Sequence, residues 1–146
     1  MRKIVGEEVD IVLVQKFRSG MLHRFDMYYY DIVLHNTNQR IGYIDLRVGH
    51  SEHLYYLGNI GYRIYEDYRG HYYAYKACLL VFDVAKKMGL SYLIITCDPQ
   101  NIGSNKTLVK LNGSFLGIKR VPMTHALFMQ GDRFKCIYRY ELQDEL

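Results

Sequence analysis

Tryptophan is absent from the 146 residues, proline occurs twice and cysteine three times. Cys78, Cys97 and Cys136 lie far apart with no C-x-x-C pair. That sparse count argues against a disulfide scaffold or a cysteine metal site, so no metal is expected and a reducing, cytoplasmic setting is. Each cysteine falls on an apolar stretch, where a buried thiol is the expectation. No apolar run approaches the ~20 residues that cross a bilayer. The opening Met1-Arg2-Lys3-Ile4-Val5-Gly6-Glu7-Glu8 meets acid before a signal's apolar region forms. Neither a membrane partner nor secretion is expected. Basic residues exceed acidic ones only by 19 to 15, and no run of five gathers them. Nucleic acid is therefore not an expected partner.

What the chain does have is apolar residues, at 49%, with charged ones at 23%. A chain of this size buries roughly two-thirds of its unfolded surface, so 1–146 reads as one domain around one core. Tyrosine is abundant, at 15 residues. Such rings can stack on bases or pack on a half-buried pleated sheet with the hydroxyl wet. Without a basic stripe, the second reading is preferred.

Alternation marks strands over 9–17, 28–35 and 41–48, with Asn36-Thr37-Asn38-Gln39 as a turn, so these strands form an antiparallel meander. A loop holding Gly49 to His53 leads to a fourth strand over 57–64. The period then changes. Ala74, Ala77, Cys78, Val81, Val84, Ala85 and Met88 make an apolar stripe on a helix over 71–88, widened by Leu79, Leu80 and Phe82 into a deeply buried element. Gly89 ends it. An apolar run over 92–97 reads as a central strand covered on both faces. A second helix spans about 102–111, and strands over 115–120 and 134–142 flank a polar loop with Pro122 and Gly131. Helices thus appear in the second half only, and the fold class is α+β: a mixed, mostly antiparallel sheet with flanking helices.

The most informative segment joins strand four to the long helix, Ile64-Tyr65-Glu66-Asp67-Tyr68-Arg69-Gly70-His71-Tyr72-Tyr73-Ala74. Free N–H groups at a helix start near Gly70 or His71, with the dipole's positive end, can hold an anion. Arg-Gly before a helix can equally be a simple turn. Arg69-Gly70-His71-Tyr72-Tyr73-Ala74 resembles the acyl-CoA signature Gln/Arg-x-x-Gly-x-Gly/Ala of the GNAT (Gcn5-related N-acetyltransferase) superfamily, with Tyr72 at the middle glycine. A second block of that family, Asn-x-x-Ser/Ala then a helix and a Gly near Phe, is matched by Asn101-Ile102-Gly103-Ser104 and by Gly113-Ser114-Phe115. The run Gly58-Asn59-Ile60-Gly61-Tyr62-Arg63-Ile64 is similar to the ribosomal-protein-acetyltransferase branch. The likeness spans roughly 41–117, half the chain.

The resemblance implies an acyl-CoA N-acyltransferase fold that binds acetyl-CoA. Amides of Gly70, His71, Tyr72, Tyr73 and Ala74 would cradle the pyrophosphate, with Tyr72 in ordinary helical geometry. Splayed strands would leave backbone groups near Ile64 and Tyr65 for the pantetheine amides and the oxyanion. Asn101 and Ser104 would meet the same arm. Two departures stand out. Thr96 and Leu108 occupy the positions at which the N-terminal-amine branch carries its Glu and Tyr. Only about ten residues, 18–26, stand where the family has two helices, so the helical region is shortened and the cleft more open. The loop over 123–133, or a second subunit in a homodimer, would complete it.

An alkyl amine with a pKa near 10 is about a thousandth deprotonated at pH 7 and needs a proton acceptor. Glu52 or His53 could act through water, although a charged surface loop is the preferred reading of both. Behind them stand Asp45, Glu66 and His35. No cysteine falls near the motif loop, so the resemblance implies direct attack on the thioester by a small-molecule or peptide amine. The alternative is a degenerate acyl-CoA sensor without turnover.

Overall fold

The computed structural model describes residues 2–143. Five strands, β1 (Lys3–Ile4), β2 (Val9–Phe17), β3 (Asp26–Leu34), β4 (Arg40–Val48) and β5 (Ile60–Ile64), pair in sequence order, each antiparallel to the next. A second antiparallel sheet has the order β6 (Tyr92–Cys97), β8 (Phe134–Glu141), β7 (Ser114–Arg120). The expected meander is present, and the class is α+β. No helix interrupts residues 18–25 between β2 and β3. No helix among the described residues is long and apolar enough to cross a membrane.

Helix α1 (Glu52–Leu57), α2 (Tyr73–Lys87), α3 (Ile102–Lys110) and α4 (Ala126–Met129) complete the fold. Two of these correct the sequence reading. Residues 52–57 are a helix, not a loop and strand start, because the Ser51 side chain accepts the Leu54 N–H at 3.2 Å. The polar loop before β8 contains α4. Helices are therefore not confined to the second half.

Helix α2 lies close on the sheet because its inward face is small: Ala74, Ala77, Cys78, Val81 and Ala85 are buried. Its burial is one-sided, contrary to the deep burial expected. Leu79 and Met88 are exposed, and Leu80 and Phe82 only half-buried. Gly89, at φ 87°, closes the helix. Its N–H bonds Lys86 O while the Leu90 N–H reaches back to Ala85 O, the paired bonds of a left-handed C-terminal cap. Helix α3 ends at Asn112-Gly113, where a Cβ on Gly113 would sit 2.4 Å from the Tyr140 ring. The core joins Ile11, Ile32, Ile44 and Leu46 of the large sheet to α2 and to Leu93, Ile95 and Tyr140 of the small one.

Strand β6 is not central as expected: β8 flanks it on one side, and among the described residues no ladder joins it to β5. Asn59 stands in for that ladder. Its N–H bonds Ile94 O at 2.6 Å, and its side-chain carbonyl accepts the Ile94 N–H at 2.8 Å. Its amide group donates to Arg47 O and Gly49 O at 2.9 and 2.8 Å. Thr96 Oγ1 adds a bond to Tyr56 O at 2.8 Å. Replacing Asn59 with Leu leaves three buried or half-buried backbone groups unpaired, each costing about 1–3 kcal/mol. Asn59→Leu is expected to lower the unfolding free energy by at least about 3 kcal/mol in a urea titration; a loss below about 1 kcal/mol would show that the stitch is dispensable.

Candidate active site

Beyond the Asn59 stitch the two sheets part, and the wedge between β5 and β6 is the site. The ladder register decides what lines it. Arg47 N–H bonds Asn59 O and Tyr65 N–H bonds Ile41 O. Antiparallel alternation then turns odd-numbered residues of β5 toward β4 and the backbone groups of Ile60, Tyr62 and Ile64 toward β6. Ile64 therefore faces the wedge, whereas the Tyr65 N–H is spent on the sheet. Ile64 O accepts from Arg69 Nε at 2.9 Å, so Arg69 braces the mouth of the wedge.

A short 3-10 turn (Glu66–Tyr68) and Gly70, at φ 91° with open space around it, carry the chain to α2. The helix starts at Tyr73, with no side chain capping it. Its first backbone bond is Lys76 N–H to Tyr72 O, so the amides of Tyr73, Ala74 and Tyr75 have no intrahelical acceptor. They form a positively polarised end at the mouth of the wedge.

Tyr72 corrects the sequence reading. It is not helical but left-handed, at φ 61° and ψ 26°. That is the conformation for which the signature's glycine is suited. A side chain there costs about 1–2 kcal/mol. The ring is exposed and lies 4.7 Å from Lys110 Nζ, which also covers the Tyr75 ring at 5.0 Å. Tyr72, Pro99, Ile102, Asn105, Lys106 and Lys110 line a cleft of ≈ 660 Å³ beside the α2 start.

Asn101 caps α3, its Oδ1 accepting the Ser104 N–H at 3.0 Å. Asn105, which sequence reasoning missed, ties the preceding turn through Asp98 O, Pro99 O and Asn101 O, and accepts from the Tyr138 hydroxyl at 3.0 Å. Leu108 is fully buried, and its carbonyl accepts the Tyr140 hydroxyl at 2.6 Å. Burial pushes Cys78 and Cys97 up to about 12. Burial also pushes Tyr62, whose ring lies among Cys78, Ser104 and Thr107, up to about 12.

Glu52 and His53 open α1. Burial, then His125, Arg24 and Arg47, hold the His53 ring below its usual pKa, so it is neutral near pH 7. Its Nδ1 lies 3.5 Å from an Arg24 nitrogen. The ring stacks on His125 at 4.6 Å and on Phe25 at 6.0 Å. His125 gave no sequence signal, since histidine is not among the usual helix caps. Its Nδ1 accepts the Leu127 N–H at 3.0 Å, which leaves the proton on Nε2 to donate to His53 O at 2.9 Å. Glu52 instead borders a cavity of ≈ 290 Å³ with His50 and Tyr92.

The family model for the acetyltransferase (GNAT) domain matches residues 7–113. The chain belongs to the GNAT family. It is thus an N-acetyltransferase by family. None of the curated proteins matches its sequence. Among solved structures, a GNAT-family acetyltransferase from Bacillus anthracis superposes with TM-score 0.70 at 18% identity, covering 97% of this chain and 99% of that one. The ribosomal-protein-S5-alanine acetyltransferase from Vibrio fischeri gives 0.68 at 16% identity, covering 97% of each. The microcin C7 self-immunity acetyltransferase MccE, solved with acetyl-CoA and AMP, gives 0.58 at 17% identity over 79% of this chain and 61% of its own. At these identities the likeness is one of fold.

In this GNAT chain the strain at Tyr72 can be measured. Tyr72→Gly is expected to unfold at or above the wild-type midpoint, since relief of about 1 kcal/mol of backbone strain outweighs the exposed ring's contact with Lys110. Tyr72→Val, β-branched at positive φ, should be less stable than Tyr72→Gly by about 1–2 kcal/mol. Equal midpoints for the two variants would remove the strain argument.

Proposed function

We propose that this protein moves the acetyl group of acetyl-CoA to a primary amine by direct attack on the thioester. The observation that carries the reading is the wedge between β5 and β6, unladdered beyond Asn59, with the uncapped start of α2 at its mouth. The residues present fit the co-substrate. The amides of Tyr73, Ala74 and Tyr75 suit a pyrophosphate, joined by those of Gly70, His71 and Tyr72 in the turn. Lys106 and Lys110 suit further phosphate charge beside the same cleft. The backbone groups of Tyr62 and the N–H of Ile64 suit an extended arm carrying amides. Asn101 and Ser104 flank that arm from α3.

Direct attack, without a covalent enzyme intermediate, is supported by the thiols. All three cysteines are buried, and a thiol held near 12 supplies almost no thiolate at neutral pH. The amine must lose its proton to another group. Neutral His53 is the proposed acceptor through water, in preference to Glu52, which faces away toward the His50 cavity. The acceptor is an amine on a peptide or small molecule. Neighbouring folds include acetyltransferases of ribosomal proteins, which favours a peptide end.

Two measurements check this. Saturating acetyl-CoA, at a hundred times its dissociation constant, is expected to stabilise the protein by about 2.7 kcal/mol; an unchanged unfolding midpoint would overturn the reading. With an accepted amine, His53→Gln is expected to lower kcat about 10²-fold, while Glu52→Gln leaves it within about twofold. The reverse ranking would assign the base to Glu52. The second reading, an acyl-CoA sensor, is favoured by buried Leu108 and by the engaged hydroxyl of Thr96. Tight binding with no thioester cleavage across a panel of primary amines would select it.

A further inference from the structure

His53 has one ring lone pair to offer a proton, and the structure shows what faces it. A guanidinium can only donate. With an Arg24 nitrogen 3.5 Å from Nδ1, the lone pair lies on Nδ1 and the neutral ring carries its proton on Nε2. A proton taken up at Nδ1 would meet a second donor and a second positive charge. Arg24 thus opposes the step in which His53 accepts a proton. For His53 to work, the guanidinium has to turn away as the acceptor arrives.

Charge narrows what would draw it away. Besides Arg24, the ring is faced by His125 from the β7–β8 connection and by Arg47 from β4. His125 spends both ring nitrogens, on the Leu127 N–H and on His53 O. Arg47 is paired with Asp45 at 2.7 Å. On α1 itself, Tyr56 meets His125 edge-on and Glu52 turns to the His50 cavity. Arg24 has no carboxylate within ion-pair distance among the described residues. It extends from an exposed stretch, 18–24, that holds no helix. The next carboxylate along the chain, Asp26, accepts the Ser19 N–H at 2.7 Å. A permanently charged, exposed guanidinium without an anion, set beside the proton acceptor, suits a carboxylate brought by the acceptor.

We propose that Arg24 recognises an acidic side chain of the acceptor peptide and, in turning to it, uncovers Nδ1 of His53. This rests on the reading of the wedge as the acetyl-CoA site and of His53 as the proton acceptor. The amine nitrogen then bonds to the carbonyl carbon and its proton passes through water to Nδ1. The C–S bond breaks, and its electron pair leaves on sulfur. Arg24 neither gives nor takes a proton; it selects the peptides that meet a working base. A peptide with neutral side chains leaves the lone pair covered and is acetylated slowly.

The test uses two peptides with amidated ends, an alanine followed by three glutamates and its triglutamine twin. In the wild type the acidic peptide is expected to show a kcat/KM about tenfold higher, the low end of the scale for hydrogen bonds to charged groups. Arg24→Gln should remove that preference from both sides, slowing the acidic peptide and speeding the twin, whose base is no longer covered. A merely structural role for Arg24 would slow both. A second measurement needs no turnover. With the N-acetylated peptides bound, the His53 ring is expected by NMR to titrate about one pH unit higher on the acidic peptide than on the twin, and Arg24→Gln should abolish the difference. Because Arg24 is exposed, the variant should unfold at the wild-type midpoint. Equal wild-type rates on the two peptides, a preference that survives Arg24→Gln, or a His53 titration blind to the carboxylates would overturn the inference while acetyl-CoA still binds. A wild type that binds no acetyl-CoA would instead overturn the reading of the wedge, and this inference with it.

Discussion

One asparagine holds the two sheets together. Asn59 uses its backbone and both ends of its side chain to bond Ile94, Arg47 and Gly49, so a single residue replaces the rung a neighbouring strand would have supplied. Gly58 permits the approach: a Cβ there would lie 3.2 Å from the Thr96 nitrogen. Because the stitch is local, it fixes the start of β5 against β6 and leaves the rest of β5 without a partner on that side. A continuous ladder would fill the wedge with the protein's own hydrogen bonds. The polar stitch thus combines cohesion at one end with unpaired backbone at the other.

The open end is organised by the same economy. Arg69 spends one nitrogen on Ile64 O, fixing the turn that brings the start of α2 to the mouth. The left-handed Tyr72 brings the chain into the helix abruptly and offers no side-chain cap, so the first amides of α2 stay open. The strain there is small against a native stability of about 5–15 kcal/mol. Lys110 recovers part of it by lying over the rings of Tyr72 and Tyr75.

Periodicity made the long elements legible. The meander over β2, β3 and β4, the small-residue face of α2 and the last two strands all repeat often enough to register. Helices α1 and α4, with 6 and 4 residues, are too short to show a period, and β1 exists only because Lys3 and Ile4 pair with Val12 and Ile11. The motif loop was legible because its residue types answer to local backbone geometry, and even there Tyr72 was misread because its left-handed φ follows from its neighbours. Asn59 and His125 were not legible as parts of a site. Each acts on a group far along the chain, and one sequence carries no mark of that distance.

The acceptor side shows how a chain without helices between β2 and β3 still builds a wall. Helix α1 contributes His53, the β2–β3 loop contributes Arg24 and Phe25, and the β7–β8 connection contributes His125. Arg47 fastens α1 from below by donating to Leu57 O and Gly58 O at 3.0 and 3.3 Å. The guanidinium lies against Gly61, where a Cβ would stand 2.3 Å from it. Its charge is balanced by Asp45, whose carboxyl burial pushes upward and Arg47 pulls back. Removing one member of that buried pair would strand the other's charge, a cost of about 3–5 kcal/mol. The pair therefore reads as the foundation of the wall, which leaves His53, its ring held neutral by burial and by cations at the same edge, as the proposed proton acceptor.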